Sequence, residues 1–292
     1  MHTVSLNECD ASDVERVGGK GASLGEMLHA GIPVPPGFVV TTTAFEEFMK
    51  TGIISETVAQ EILSTYEQLG SPSLVAVRSS ATGEDSKNAS WAGELETYLN
   101  TTKEQLIENI QRCWASINSP RAQAYAKKQS ISNLSMAVVI QEMIQSEVSG
   151  VTFTVHPVSE DRNLMIIEAG WGLGEAIVSG SITPDSYVVD KRDWRVIESA
   201  VNVQEKQFVY STVSRKNEWV EIAPSQQGRQ KFSPSQIIEL ATLCGKIEQH
   251  YQFPCDIEWA YVKMEEARNS EQPTGKFYIT QSRPITTLGI RH

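Results

Sequence analysis

The sequence predicts an α+β protein, and two features predict it. Segments whose apolar residues recur at helical spacing are interleaved with short apolar runs that read as strands. No internal repeat or coiled-coil heptad imposes a solenoid or a simple bundle. The 292 residues suffice for one large or two ordinary domains with a substantial core. Apolar and charged contents of 40% and 21% are those of a soluble globular protein.

Gly19 to Ala30 carries Ala22, Leu24, Met27 and Leu28 at helical spacing, and Gly31 supplies a stop. Pro33, Pro35, Pro36 and Gly37 force an extended entry into Phe38-Val39-Val40. A helix from Thr43 with Phe45, Phe48 and Met49 follows, then another over Ser55 to Leu69. Leu74-Val75-Ala76-Val77 reads as a buried strand delivering Arg78 at its end. Gly83 to Trp91 is a polar loop, Thr97 to Leu99 a strand, and Lys103 to Ser116 and Pro120 to Lys128 helices. Ala137 to Gln141, Gly150 to Thr154 and Leu164 to Glu168 are strands, the last running into the glycine segment Gly170 to Gly180. Residues 186 to 222 alternate in several β-like runs. Ser233 caps a helix reaching His250, with Pro234 in its first position. Asp256 to Val262 and Lys276 to Gln281 read as a hairpin with a long charged connection, Lys263 to Gly275. The expected division is into residues 1–140 and 141–292, the second part carrying the hairpin.

A net charge of −11 argues against a general nucleic-acid binder, which needs a basic face, while leaving room for a local basic pocket. The four cysteines form no CxxC pair and no zinc-spaced cluster, so free thiols in a reducing cytoplasm are expected. No run of about 20 apolar residues calls for a membrane-spanning helix. Met1-His2-Thr3-Val4 opens no secretory signal. No GxSxG, HExxH or EF-hand pattern points to hydrolase or calcium chemistry.

Five separated segments have residue types suited to a polyphosphate. Gly18-Gly19-Lys20-Gly21 opens a helix, where exposed amides attract phosphate and Lys20 adds a mobile cation. A glycine-rich helix start without a phosphate fits the same residues, and the spacing is not a Walker motif. Arg78 at a strand end would sit at a sheet rim, free to clamp an anion or to pair with Glu84 or Asp85. Gly170-Trp171-Gly172-Leu173-Gly174-Glu175 is a loose glycine motif whose third glycine is misplaced for a dinucleotide fingerprint, and a tight strand-to-helix turn explains it as well. Asp256 and Glu258 share one strand face by period two, and Gln281 and Arg283 share a face of the next strand. If those strands pair, Glu258 and Gln281 converge on one hard cation with Arg283 beside it, and a surface hairpin with ordinary polar alternation is the other reading.

Together the segments carry a resemblance. Val17 to Met27, Gly31 to Phe38, Val77 to Asp85, Ser90 to Gly93, Ser149 to Thr154, Gly172 to Glu175 with Pro184-Asp185, and Gln281 to Pro284 are similar, in collinear order, to the N-terminal nucleotide-binding domain of the phosphoenolpyruvate synthase / pyruvate phosphate dikinase / rifampin phosphotransferase family. The resemblance implies an ATP-grasp fold whose two lobes enclose ATP and Mg2+. It implies that Lys20, Arg78 and Arg283 clamp phosphates with catalytic effect, and that Arg121 is a further cation of the site. Gln141, Glu142, Met143 and Ile144 would form the hinge beside adenine, and Gly172, Gly174 and Glu175 would line the pocket. Glu258 and Gln281 would bind magnesium. In this family the ATP β-phosphate passes to a histidine on a swivelling domain, leaving AMP after the γ-phosphate is also released or transferred, and then goes on to pyruvate, water or a small-molecule acceptor. The sequence ends soon after Pro284, so the phosphohistidine domain is expected as a missing portion or a separate chain. His156 stands where the family turn leads one to expect Asn or Asp. An ATP-grasp ligase forming an acylphosphate, or a non-catalytic nucleotide-sensing module, are the competing readings.

Overall fold

The computed structural model describes residues 1–70, 72, 74–82, 96–120, 135–264 and 275–286. The helix expected over Pro120 to Lys128 lies outside the described residues beyond Pro120, as do the whole polar loop Gly83 to Trp91 and most of the Lys263 to Gly275 connection. The chain divides into two units, Met1–Met143 and Ile144–His292. Both are α+β, as expected, and both are built on antiparallel sheets.

The first unit comprises β1 (Thr3–Ser5), α1 (Val14–His29), β2 (Gly37–Val40), α2 (Thr42–Thr51), α3 (Glu56–Gln68), β3 (Val75–Ala81), β4 (Thr97–Thr101), α4 (Leu106–Ala115) and β5 (Met136–Glu142). The strand order is β1-β2-β5-β3-β4. One sheet face carries Phe38, Val40, Val75, Val77, Val138 and Ile140 into a core with Phe45, Ile62, Ile110 and Trp114 from α2, α3 and α4. The alternate residues face α1: the Ser80 hydroxyl donates to the Val17 carbonyl at 2.8 Å and accepts from the Gly21 amide at 3.1 Å. Helix α1 stops where Gly31 was expected to stop it. The Ile32 amide returns to the Met27 carbonyl and the Gly31 amide to that of Leu28, which is the Schellman pattern, with Met27 and Ile32 both buried.

The second unit comprises β6 (Val148–Phe153), β7 (Leu164–Trp171), β8 (Asp185–Asp190), β9 (Arg195–Ala200), β10 (Lys206–Ser211), β11 (Lys216–Glu221), α5 (Pro234–Tyr251), β12 (Cys255–Lys263) and β13 (Gly275–Pro284). Single helical turns occur at Glu175–Val178 and Pro224–Gln227. The main sheet runs β13-β12-β6-β7-β8-β9, and β10 and β11 form a separate ribbon. Helix α5 starts at the expected cap: the Ser233 hydroxyl accepts from the Gln236 amide, and the Gln236 side chain accepts from the Ser233 amide. Period two puts Ile257, Trp259 and Tyr261 of β12 on one buried face, where Trp259 and Tyr261 join an aromatic cluster with Phe232 and Phe277, ring centroids 4.8–6.0 Å apart. Asp256, Glu258 and Ala260 therefore occupy the opposite face.

Candidate functional site

Two groups of candidate side chains emerge, one in each unit. In the first, the structure corrects the expected position of Arg78. Strand β3 does not end at Val77 but continues to Ala81, so Arg78 is a mid-strand residue, opposite Val139 of β5 and Thr97 of β4, rather than a rim residue. The serines that look like a strand end are absorbed by partners. Ser80 binds α1 as described above, and the Ser79 hydroxyl donates to the Glu96 carbonyl at 2.8 Å. Arg78 is 7% exposed, and its Nη1 donates to Gln141 Oε1 at 3.4 Å. Gln141, 2% exposed, in turn donates from Nε2 to the Pro35 carbonyl at 3.3 Å.

Lys20 is not a mobile surface cation. It is 4% exposed, and its Nζ donates to the Ser79 carbonyl at 2.8 Å. The backbone at Gly18 explains how α1 comes so close: its φ is +71°, and a Cβ there would lie 2.1 Å from the Ser80 carbonyl oxygen. The glycine helix start thus docks against β3, bringing Lys20 to the strand that carries Arg78. Lys20, Arg78 and Gln141 are brought together around the α1-facing side of the sheet. Glu142 is exposed and Met143 and Ile144 half-buried, with the Met143 amide donating to the Leu74 carbonyl. Arg121 lies outside the described residues.

In the second unit β12 and β13 pair antiparallel, with Glu258 opposite Gln281 and Asp256 opposite Arg283. A bulge makes this register. Phe277 and Ile279 face Tyr261 and Trp259 in the aromatic core, and unbroken alternation would send Gln281 into the same core opposite Ile257. Thr280 is instead an extra residue, so Gln281 and Arg283 stand on the other face while Ser282 takes the position opposite Ile257. There the carboxylate of Glu258 and the amide of Gln281 lie across a strand pair, a donor set of hard oxygens suited to a magnesium ion that keeps phosphates and water as its other ligands. Among the described residues no three His, Cys, Asp or Glu side chains group to hold a metal by themselves.

Arg283 donates from Nε and Nη2 to the single oxygen Oδ2 of Asp256, at 2.9 and 2.7 Å. Asp256 Oδ1 is buried without a hydrogen-bond partner. Burial raises the Asp256 carboxyl, the Arg283 charge and hydrogen bonds pull it back, and Glu258 adds to the rise. Glu168 belongs to the same face, since it opposes Val151 of β6, which in turn opposes Glu258. Burial and then the Asp256 charge raise its carboxyl as well. Sequence reasoning passed over Glu168. Its signal was a lone carboxylate in the otherwise apolar run Leu164 to Ala169.

The glycine segment is a packing device. A Cβ on Gly172 would lie 2.6 Å from the Phe208 carbonyl oxygen of β10, and the Leu173 amide donates to that same oxygen at 2.8 Å. The Gly172 carbonyl accepts from the hydroxyls of Ser146 and Ser149 at 3.0 and 2.7 Å. Gly174 is half-buried beside Ser149, and Glu175 stands exposed at the start of the helical turn. Asp185, part of the Pro184-Asp185 motif, is also structural. It is fully buried and holds the Lys231 ammonium at 2.8 Å, the Tyr187 hydroxyl at 2.8 Å and the Asn202 amide at 2.9 Å. His156 does the work of the Asn or Asp expected there: its Nδ1 accepts from the amides of Val158 and Ser159 at 3.3 and 3.2 Å. All four cysteines are free and buried, and burial pushes each thiol up to about 12, which leaves them poor nucleophiles. No helix of the described residues is long and apolar enough to cross a membrane.

Comparison with known proteins gives these groups a context. The chain matches the family described as "Pyruvate phosphate dikinase, AMP/ATP-binding domain" over residues 14–69 and 50–291. It is 37% identical over 363 residues to the phosphoenolpyruvate synthase of Pyrococcus furiosus, covering 97% of this chain and 43% of that protein. It is 41% identical over 330 residues to the probable phosphoenolpyruvate synthase of Archaeoglobus fulgidus, covering 99% and 42%. The chain thus spans less than half the length of these two relatives. Among solved structures, D-alanyl-alanine synthetase A from Vibrio cholerae aligns with 94% of this chain and 56% of that one, at 11% identity and a TM-score of 0.39, a likeness too distant to carry an argument.

Proposed function

This chain belongs to the pyruvate phosphate dikinase AMP/ATP-binding domain family, and on that premise we propose that it is the ATP-binding component of a dikinase-type phosphotransferase, its two units being the lobes of an ATP-grasp fold. It passes the ATP β-phosphate to a histidine on a separate domain or chain, for onward transfer to pyruvate, water or a small-molecule acceptor. It works in the cytoplasm with no nucleic-acid or membrane partner. The observation that carries this reading is the bulged register of β12 and β13, which sets Glu258 against Gln281 and Asp256 against Arg283 on the face away from the aromatic core.

Phosphoryl transfer asks little covalent chemistry of a protein and much positioning and charge. Lys20, Arg78, Arg121 and Arg283 supply positive charge to the phosphates in this reading. Lys20 and Arg78 are already held by the Ser79 carbonyl and Gln141, so little ordering remains to be done when the phosphates arrive. Gln141 to Ile144 accommodate adenine, and Gly172, Gly174 and Glu175 bound the pocket. Glu258 and Gln281 hold Mg2+, which when bound neutralises charge on the phosphates.

Calorimetric titration of the purified chain with ATP, with and without magnesium, tests the reading. Magnesium-dependent binding that disappears in Glu258→Ala is expected. Binding that ignores both magnesium and the substitution would remove Glu258 from the metal site, and no binding at all would favour a nucleotide-independent role.

A further inference from the structure

The Asp256–Arg283 pair lies on the face carrying the candidate metal residues, and the roles assigned so far give Asp256 none. Three observations single it out. The register places Asp256 directly opposite Arg283, one pleat from the Glu258–Gln281 pair. Two guanidinium bonds, from Nε at 2.9 Å and Nη2 at 2.7 Å, fall on one carboxylate oxygen. The other oxygen is buried without a hydrogen-bond partner although Asp256 is only 9% exposed.

An aspartate kept for stability alone would be expected to satisfy both oxygens, because a buried acceptor left unpaired is costly. Sharing Oδ2 between Nε and Nη2 fixes the plane of the guanidinium and the edge it turns to the strand. An arginine on a long flexible stem otherwise loses rotamer freedom each time it engages an anion. We propose that Asp256 is a positioning residue for nucleotide binding, holding the Arg283 guanidinium in the orientation in which it meets the phosphates of ATP. This rests on the reading of Arg283 as a phosphate ligand. Asp256 itself touches no phosphate; its effect passes entirely through Arg283.

A double-mutant cycle on the full chain tests the proposal, with ATP and magnesium titrated calorimetrically and AMP as a probe that lacks the outer phosphates. Arg283→Ala is expected to weaken ATP binding roughly tenfold or more while leaving AMP nearly unchanged. Asp256→Ala is expected to reproduce most of that loss, and Asp256→Asn, which keeps one acceptor for the guanidinium, to recover part of it. In the Arg283→Ala background, Asp256→Ala should add almost nothing, because its effect has no other route. A residue with a merely structural role would instead lower ATP and AMP binding together and add its full loss in that background, which would overturn the proposal. If Asp256→Ala does not fold, as judged by its thermal transition, Asp256→Asn alone decides by the same comparison of ATP with AMP. If Arg283→Ala binds ATP normally, Arg283 is not a phosphate ligand and the reading beneath the proposal fails. If Arg283→Ala is impaired and the Asp256 variants are not, only the positioning role fails.

Discussion

At the scale of single residues, burial separates side chains that hold the fold from those with chemistry to offer. Asp185 and Lys231 have no exposed side-chain surface and satisfy one another within a network that includes Tyr187 and Asn202. Lys231→Met removes the cation and strands a buried carboxylate, so a loss of about 3–5 kcal/mol is expected in urea denaturation. The double variant Asp185→Asn with Lys231→Met should recover part of it, since no charge is then left alone. This pair joins positions 46 apart, and nothing local in Pro184-Asp185 or Gln230-Lys231 announces it. Arg78 is the converse case. Val77-Arg78-Ser79-Ser80 looks like a strand end because serines are poor strand residues in isolation. What keeps β3 going is its pairing with β5, Ser79 to Ala81 against Val138 to Met136, while the serine hydroxyls bond to Val17, Gly21 and Glu96; all of these are distant in sequence, so the strand's true length was not legible locally.

Elements with a local chemical signature were the most legible. The Schellman stop at Gly31 and the capping box at Ser233 depend on a few neighbouring residues, and both lie where the sequence puts them. The pairing of Glu258 with Gln281 follows from two strands of matching polarity. The bulge that permits it left only an indirect trace, the change from Phe277 and Ile279 to Gln281 and Arg283 at positions of one parity. The anchoring of β1 to α3 shows how an element can depend on pH. Glu61 accepts from the amides of His2 and Thr3 and from the His2 ring, whose other nitrogen meets Glu47. Burial opposes charge on the His2 ring, but the hydrogen bonds and charges of Glu47 and Glu61 outweigh it and raise its pKa above 6.5. Burial likewise opposes the Glu61 carboxylate, yet the bonds from His2 and Thr3 bring it down to about 2. A raised histidine contributes stability in full below 6.5 and loses it as pH climbs through the folded-state value. A lowered glutamate contributes above 4.5 and loses its share as pH falls toward about 2. His2→Ala should therefore cost up to about 1 kcal/mol near pH 5.5, a partly exposed pair being worth no more, and close to nothing well above the raised value. Urea midpoints for both proteins across that range check the sign: a difference that grows with pH would rule the pairing out.

For the molecule as a whole, the informative quantity is which phosphate moves. The net charge of −11 makes the chain unfavourable ground for a polyanion except where fixed cations and a divalent metal offset it. The proposed nucleotide residues belong to both units. In a histidine relay the β-phosphate is carried to the histidine, the γ-phosphate bonded to it is released to water or transferred to another acceptor, and AMP remains. In a ligase that forms an acylphosphate the γ-phosphate is carried away and ADP remains. The chain spans less than half of its phosphoenolpyruvate synthase relatives, so the decisive assay supplies the acceptor in trans. Incubated with magnesium and a protein carrying the phosphohistidine domain, ATP labelled at the β-phosphate should transfer its label to that protein in an acid-labile bond, with AMP accumulating. ATP labelled at the γ-phosphate should end with its label released as inorganic phosphate or passed to another small acceptor, and none on the histidine once the reaction is complete. Arg78→Ala should slow the labelling more than it weakens ATP binding if Arg78 acts chiefly on the transferring group, because an interaction made only in the transition state lowers rate without lowering affinity. ADP as the product, with no labelled histidine, would instead assign the chain to acylphosphate chemistry, and equal losses of binding and rate in Arg78→Ala would make that arginine a ligand of the ground state.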